Sequence, residues 1–317
     1  MRTRRSLIAL ALGAALAAPA WSQQGTIDII VPSGAGSAPD IIARIIGDEL
    51  GARLKQPTVV YDRPGAGGII AVMAAKAAAN ADTLLLAQAA VVAVTPLTYR
   101  AAKYDLEKDM EPVVAVADTP MMFVTNPDTG PKTLADALAA ARKEPGKVTV
   151  TTTGRASIPH LTAELLAQKA DVRFNIVPTA STGQGIQTAV SGEAAMTVNG
   201  IAPLLPLVKS GRLRGLAVSS AKVLPGLDGY PLARDTVPGL QATGWFMLFA
   251  KKGTPAARIA QINRAVNEAL QSPEVVARLA QTANYPLGGS VADAKTFLKK
   301  EQALWSGIVK SAGIQPE

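Results

Sequence analysis

The stretch from Ile27 to Leu50 constrains the fold of this chain more than any other. Ile27-Asp28-Ile29-Ile30-Val31 is a short β-branched run of the kind that forms a buried strand. A proline, a serine and two glycines between Pro32 and Gly36 then break it into a tight, bare-backbone loop. Ser37 stands where a helix N-cap belongs, Pro39 suits the first turn, and Asp40 is placed to close a capping box. Ile41, Ile42, Ile45, Ile46 and Leu50 supply the apolar face of that helix. A strand that feeds a glycine loop into a helix N-terminus aims free N–H groups and the positive end of a dipole at one point. That point favours an anion.

The device recurs. Lys147 to Lys169 carries a strand run at Val148–Val150, a Thr/Gly loop, and Ser157-Ile158-Pro159-His160 ahead of another helix. SAPDIIARII (Ser37 to Ile46) and SIPHLTAELL (Ser157 to Leu166) share the serine, the proline, the alanine and the apolar spacing. Either cradle alone fits an ordinary capped helix; the matching pair predicts one ligand held from two sides. Candidate donors are Ser33, Gly34, Ala35, Gly36 and Ser37 on the first loop, and Thr152, Thr153, Gly154, Arg155 and Ser157 on the second. Asp40 and His160 are expected to fix these loops. Arg155 reads either as a solvated loop residue or as the ligand's cation, since an Arg fork matches a carboxylate.

Along the chain, Pro57–Tyr61 and Thr83–Ala87 read as further strands, with a glycine loop and an Ala-rich helix (Ile69 to Ala79) between them. This βαβαβ alternation predicts a parallel sheet with ligands beyond the carboxyl ends of its strands. Val113–Val116 and Met121–Val124 read as two strands leading out of this unit. A second α/β unit is expected from about Asn126 to Ala242, and Trp245–Ala250 as a strand returning to the first sheet. The predicted organisation is a leader over 1–22, a first lobe over 23–125 and 243–317, and a second lobe over 126–242. Two crossings, near 120–127 and 241–250, would form a hinge.

The leader reading rests on Arg2, Arg4 and Arg5 followed by the apolar run Leu7–Ala18 and small residues suited to cleavage. That run is too short to span a bilayer, and no later run is long enough. Of the formal +8, three charges belong to the leader, leaving +5 on scattered side chains. With aromatics at only 4% and no basic stripe, nucleic-acid and sugar-stacking functions are disfavoured. The chain has no cysteine and hence no disulfide or lipid-anchoring thiol, so an exported, soluble, unanchored monomer is expected. His160 is the only histidine. A Ser/His hydrolase would have to pair it with Ser157 or a remote serine, and no metal site or cofactor is expected. Gly34-Ala35-Gly36 begins like a dinucleotide fingerprint, but Pro39 occupies the third glycine position.

At these residues the chain resembles the exported receptors of tripartite tricarboxylate transporters, the Bug family. The resemblance is carried by Pro32, Gly34, Gly36, Ser37 and Asp40, by Asp62-Arg63-Pro64-Gly65-Ala66-Gly67-Gly68, by Gly154, Ser157 and His160, and by Gly211–Val218 and Trp245-Phe246. It implies an α/β, two-lobed Venus-flytrap of the type II periplasmic binding class, each lobe a mainly parallel sheet flanked by helices. It also implies a small organic acid in the interlobe cleft and delivery to a permease with a large and a small membrane subunit. In such a receptor the two loops grip one carboxylate, and residues across the cleft choose the acid. Those candidates here are Gln88, Thr179, Ser181, Asn199 and Trp245.

The departures fall at that far side. Pro178-Thr179-Ala180-Ser181 replaces a common Pro-Tyr-Lys-Gly, Ala195 a common aspartate, Gln88 a small or hydroxyl residue, and Ala156 a glycine. Loss of the acidic residue disfavours an amino acid and leaves a mono- or dicarboxylate, including an aromatic one. A sensory receptor of the same fold, signalling to a membrane partner, is the alternative.

Overall fold

The computed structural model describes residues 25–317; the expected leader over 1–22 lies outside the described residues. The first lobe begins β1 (Ile27–Val31), α1 (Ala38–Leu54), β2 (Thr58–Asp62), α2 (Ile69–Ala77) and β3 (Thr83–Gln88). Short helices α3 (Thr95–Thr98) and α4 (Leu106–Asp109) lead to the long strand β4 (Met110–Thr125). The second lobe follows as α5 (Leu134–Lys143), β5 (Thr149–Thr153), α6 (Ile158–Ala170), β6 (Asn175–Thr179), α7 (Thr182–Val190), β7 (Met196–Gly200), α8 (Ile201–Lys209) and β8 (Arg214–Val218). The chain returns through α9 (Ala233–Thr236), β9 (Thr243–Lys251), α10 (Ala256–Leu270), α11 (Pro273–Gln281), β10 (Tyr285–Pro286) and α12 (Val291–Ser311).

The strands lie in the order β2-β1-β3-β9-β4-β7-β5-β6, with β8 and β10 also paired to β4. β1 is parallel to β2 and β3, and β5 is parallel to β6 and β7, as the βαβ alternation requires. The linking strands make the sheet mixed: β9 is antiparallel to β3 and β4, and β7 and β8 are antiparallel to β4.

One sequence expectation changes. Val113–Val116 and Met121–Val124 belong to a single 16-residue strand, β4. The polar Asp118-Thr119-Pro120 break reads as a turn in sequence, yet all three residues stay paired with β9. Pro120 is tolerated because it stands where β4 changes partner, from β9 to β7 and β8. This strand is therefore the continuous bridge between the lobes.

One face of the first sheet packs Ile29, Val31, Ile42, Ile46, Ile262 and Val266 into a core of its own. The other face carries Ile30, Leu85, Val91 and Met247, and this core runs on without a break to Phe123, Leu161 and Trp305. Helix α12 packs on both β4 and α6, so the last helix touches both lobes.

Trp245 sits in this shared core at 1% exposure, with Phe297 edge-on at 5.3 Å and 77°. Its Nε1–H donates to Glu301 Oε2 at 2.8 Å, and Trp305 Nε1–H donates to the same oxygen at 3.0 Å. The expectation that Trp245 lines the cleft is therefore corrected: its ring is covered by α12 and its one polar atom is committed.

Asp118, the register partner of Trp245, is half-buried on β4. Burial pushes its carboxyl up to about 6, and the charge of Glu301 adds to this, while Thr243 and the Thr119 N–H pull the other way. The folded state thus holds a proton that the unfolded chain has already lost, and stability falls as pH rises from the ordinary carboxylate range towards 6. Asp118→Asn is expected to be about 1–2 kcal/mol more stable than the parent near pH 7.5, with the gain vanishing near pH 4; the partial exposure of Asp118 holds the figure down. Urea unfolding at the two pH values measures it, and a gain independent of pH would refute the assignment.

Candidate functional site

The two cradles are the same object built twice. Ser37 has φ −74° and ψ 161°, and Ser157 has φ −75° and ψ 162°. Ser37 N–H donates to Gly34 O at 3.3 Å, and Ser157 N–H donates to Gly154 O at the same distance. Gly36 N–H donates to Asp40 Oδ2 at 2.8 Å; Ala156 N–H donates to His160 Nδ1 at 3.0 Å. Asp40 and His160 thus hold equivalent loops by equivalent bonds. Both loops need the left-handed region, Gly36 at φ 77° and Ala156 at φ 58°. Glycine takes that conformation freely, whereas Ala156 is held in it by the bond to His160.

The capping differs in detail from the expectation. Ser37 makes no side-chain cap; its hydroxyl shares a hydrogen bond with Ser33 Oγ at 2.8 Å. Asp40 reaches one residue further back than a capping box would, to Gly36, and pairs with Arg44 Nε at 2.7 Å. Burial pushes the Asp40 carboxyl up, but the Gly36 N–H and Arg44 outweigh it and leave it below its ordinary value. Asp62 is raised instead, by burial and then by the charge of Asp40. Ser157 does cap, accepting from His160 N–H at 3.3 Å while donating to the Thr153 carbonyl.

These bonds leave donors over. The N–H groups of Gly34, Ala35 and Ala38 on the first cradle, and of Arg155 and Ile158 on the second, have no acceptor among the described residues. They stand at the N-termini of α1 and α6, where the helix dipole adds to their pull on an anion.

Between the lobes lies a cavity of about 260 Å³. The first lobe contributes Pro32, the glycine loop Gly65–Gly68 and Gln88; the second contributes Arg155, Ala156 and Ser157. Thus Gln88, Arg155 and Ser157, chosen from sequence, meet in one space. Ser33 to Ser37 form the loop that follows Pro32 and are not themselves among the residues lining this cavity. The remaining candidates support the second cradle from behind. Thr153 is bonded to Thr182 Oγ1 at 2.9 Å and to Asn199, which is itself 1% exposed. Thr179 Oγ1 lies 2.8 Å from the carbonyls of both Thr152 and Ser181, between which its one hydrogen is shared, and Ser181 caps α7 by accepting from Gln184 N–H at 3.2 Å. Thr152 is fully buried, and its Oγ1 has no partner among the described residues.

Sequence reasoning missed the wall formed by Val91, Val94, Thr95, Thr98 and Tyr99. In sequence this segment is an apolar run that reads as core. Here Ala90–Val94 forms one wide π-helical turn, separated from Gln88 by Ala89 alone. Tyr104 Oη donates to the Val91 carbonyl at 2.6 Å, supporting the turn from behind.

A Ser157–His160 catalytic pair is not assembled. The His160 ring uses Nδ1 on Ala156 N–H and places Nε2 3.5 Å from Glu164, while the Ser157 hydroxyl is turned to Thr153.

A two-lobed α/β protein with a glycine loop at a helix N-terminus on each lobe, and Pro32 of one and Arg155 to Ser157 of the other lining a shared cavity, is by class a solute-binding protein. The chain belongs to the tripartite tricarboxylate transporter receptor family: the family model described as "Tripartite tricarboxylate transporter family receptor" matches residues 42–314. It is 32% identical to protein BugT of Bordetella pertussis, over 91% of this chain and 90% of BugT. Among solved structures it is similar to Rpa4515 of R. palustris with adipate, at 28% identity and a TM-score of 0.77, covering 94% of this chain and 100% of that one. MatC of Rhodopseudomonas palustris with bound malate gives 26% identity and a TM-score of 0.71, covering 90% and 99%.

Proposed function

We propose that this protein captures a small carboxylate between its two cradles and hands it to the large and small membrane subunits of a tripartite transporter. It does so as a periplasmic monomer exported by its leader. The observation that carries the reading is the pair of geometrically equivalent cradles, one on each lobe, beside a cavity whose second-lobe wall includes Arg155. Free N–H groups and the Arg155 guanidinium supply charge-assisted donors for a carboxylate. The adipate and malate held by related receptors support the ligand class.

In this reading the lobes are 23–125 with 243–317, and 126–242, and closure pivots near 120–127 and 241–250. Ligand binding shifts the population towards the closed shape that the permease recognises. Closure completes the grip of the second cradle on an anion already resting on the first.

Titration calorimetry against a panel of organic acids tests this. A Gly36→Pro, Arg155→Ala variant is expected to lose about a hundredfold or more in affinity for whichever acid binds. Proline cannot take φ 77° and removes the N–H that Asp40 holds, and the alanine removes the cation. Unchanged affinity in the double variant would remove the cradles from the site, and binding confined to neutral sugars would overturn the ligand class.

A further inference from the structure

The side chains that line the cleft narrow the acid further, if the receptor reading above holds. Arg155 is the one charged side chain among the lining residues. The Thr95 hydroxyl is spent on the Gly67 carbonyl at 2.9 Å, and the Thr98 hydroxyl on the Val94 carbonyl at 3.1 Å. Val91, Val94 and the face of the Tyr99 ring give that wall its apolar part. Gln88 is different. It is the last residue of β3, half-buried, and neither end of its amide makes a hydrogen bond to the described residues. Its Oε1 is shut off from solvent without a donor, a deficit of the kind that costs a protein about 1–3 kcal/mol, so the amide meets a ligand through Nε2 or by turning over.

We infer that the cleft is built for a monocarboxylate bearing a neutral hydroxyl group, with Gln88 as the residue that reads the hydroxyl. One cation matches one carboxylate. A second carboxylate against Val91, Val94 and Tyr99 would be desolvated with no cation facing it, which is a heavy penalty. A hydroxyl is both donor and acceptor, so it can accept from the Gln88 Nε2–H as the side chain stands, or donate to Oε1 once the amide turns over. The apolar wall then accommodates the aliphatic or aromatic body between the two polar ends. A site that hydrogen-bonds a substrate hydroxyl rejects the analogue lacking it far better than an apolar pocket rejects an added methylene.

The test is calorimetry on the full-length mature protein and its Gln88→Met variant. The probes are the pairs lactate and propionate, mandelate and phenylacetate, and para-hydroxybenzoate and benzoate, with succinate and adipate as dicarboxylates. In the parent, the hydroxylated member of at least one pair is expected to bind about tenfold or more tightly than its partner and than either dicarboxylate. In Gln88→Met that preference should fall to within about threefold, the loss falling on the hydroxylated acid, while the melting temperature of the unliganded protein is not lowered, since the variant removes an unpartnered buried oxygen. Succinate or adipate binding more tightly than every monocarboxylate would overturn the inference, pointing to the N–H groups of Gly65, Ala66 and Gly67 as a second anion site. A hydroxyl preference that survives in Gln88→Met, or none in any pair, would also overturn it while leaving the carboxylate receptor intact. If no carboxylate of any kind binds, the receptor reading itself fails, and the inference with it.

Discussion

Trp245→Ala is expected to destabilise the protein by about 3–5 kcal/mol, the range for emptying a large aromatic site in a packed core. The indole is 1% exposed in the core shared by the two lobes and packs edge-on against Phe297 of α12. Its loss leaves a cavity beneath the returning strand and takes one of two donors from Glu301 Oε2, a carboxyl that burial already raises above its ordinary value. Trp245→Phe separates the contributions, since it keeps most of the packing and removes the N–H; a smaller loss of about 1–3 kcal/mol is expected. Urea unfolding gives both figures. Because the ring does not line the cleft, Trp245→Phe should bind the ligand within about threefold of the parent. A large affinity loss without a stability loss would return Trp245 to the binding site and contradict its burial.

Gly68→Ala is the second large effect. Gly68 lies at φ 93°, and an added Cβ would stand 2.5 Å from Val91 Cγ2 and 3.3 Å from Pro32 Cβ. Val91 is 1% exposed and β-branched, so it yields only by leaving its preferred rotamer or by moving backbone. Left-handed strain and overpacking together are expected to cost about 2–5 kcal/mol. The displaced Val91 and Pro32 both line the cleft, so affinity should fall about tenfold or more as well. Gly34→Ala is the control: no atom lies within 4 Å of its added Cβ and its φ is ordinary, so stability should stay within about 0.5 kcal/mol. Equal effects at Gly34 and Gly68 would show that glycine content, not contact with the cleft wall, sets the response.

Which parts of the site were readable follows from the range of the interactions involved. The cradles were legible because strand, loop and cap are encoded within about fifteen consecutive residues, by β-branching, glycine and proline. The equivalence of Asp40 and His160 was only half visible. Their positions match in sequence, but a carboxylate and an imidazole gave no hint that each would accept an N–H from the residue four places earlier. The Asp118-Thr119-Pro120 break misled because pairing with β9, more than a hundred residues away, overrides a local turn signal. Trp245 misled for a related reason: an aromatic on a strand near a crossing has two faces to choose between, and α12, folded from the last part of the chain, decides which is buried.

By itself, then, the sequence determined two α/β units, each with a glycine loop leading into a helix N-terminus, because those features rest on neighbouring residues and backbone chemistry. Only the tertiary structure decided that Gly65–Gly68, Gln88 and Arg155 share one cavity, and that Val91 to Tyr99 line it. It also set Thr179, Ser181 and Asn199 behind the cradle rather than before it. Those outcomes depend on how β4 and β9 join the two sheets and how α12 closes over both. Contacts between residues far apart in the chain leave no local signature to read.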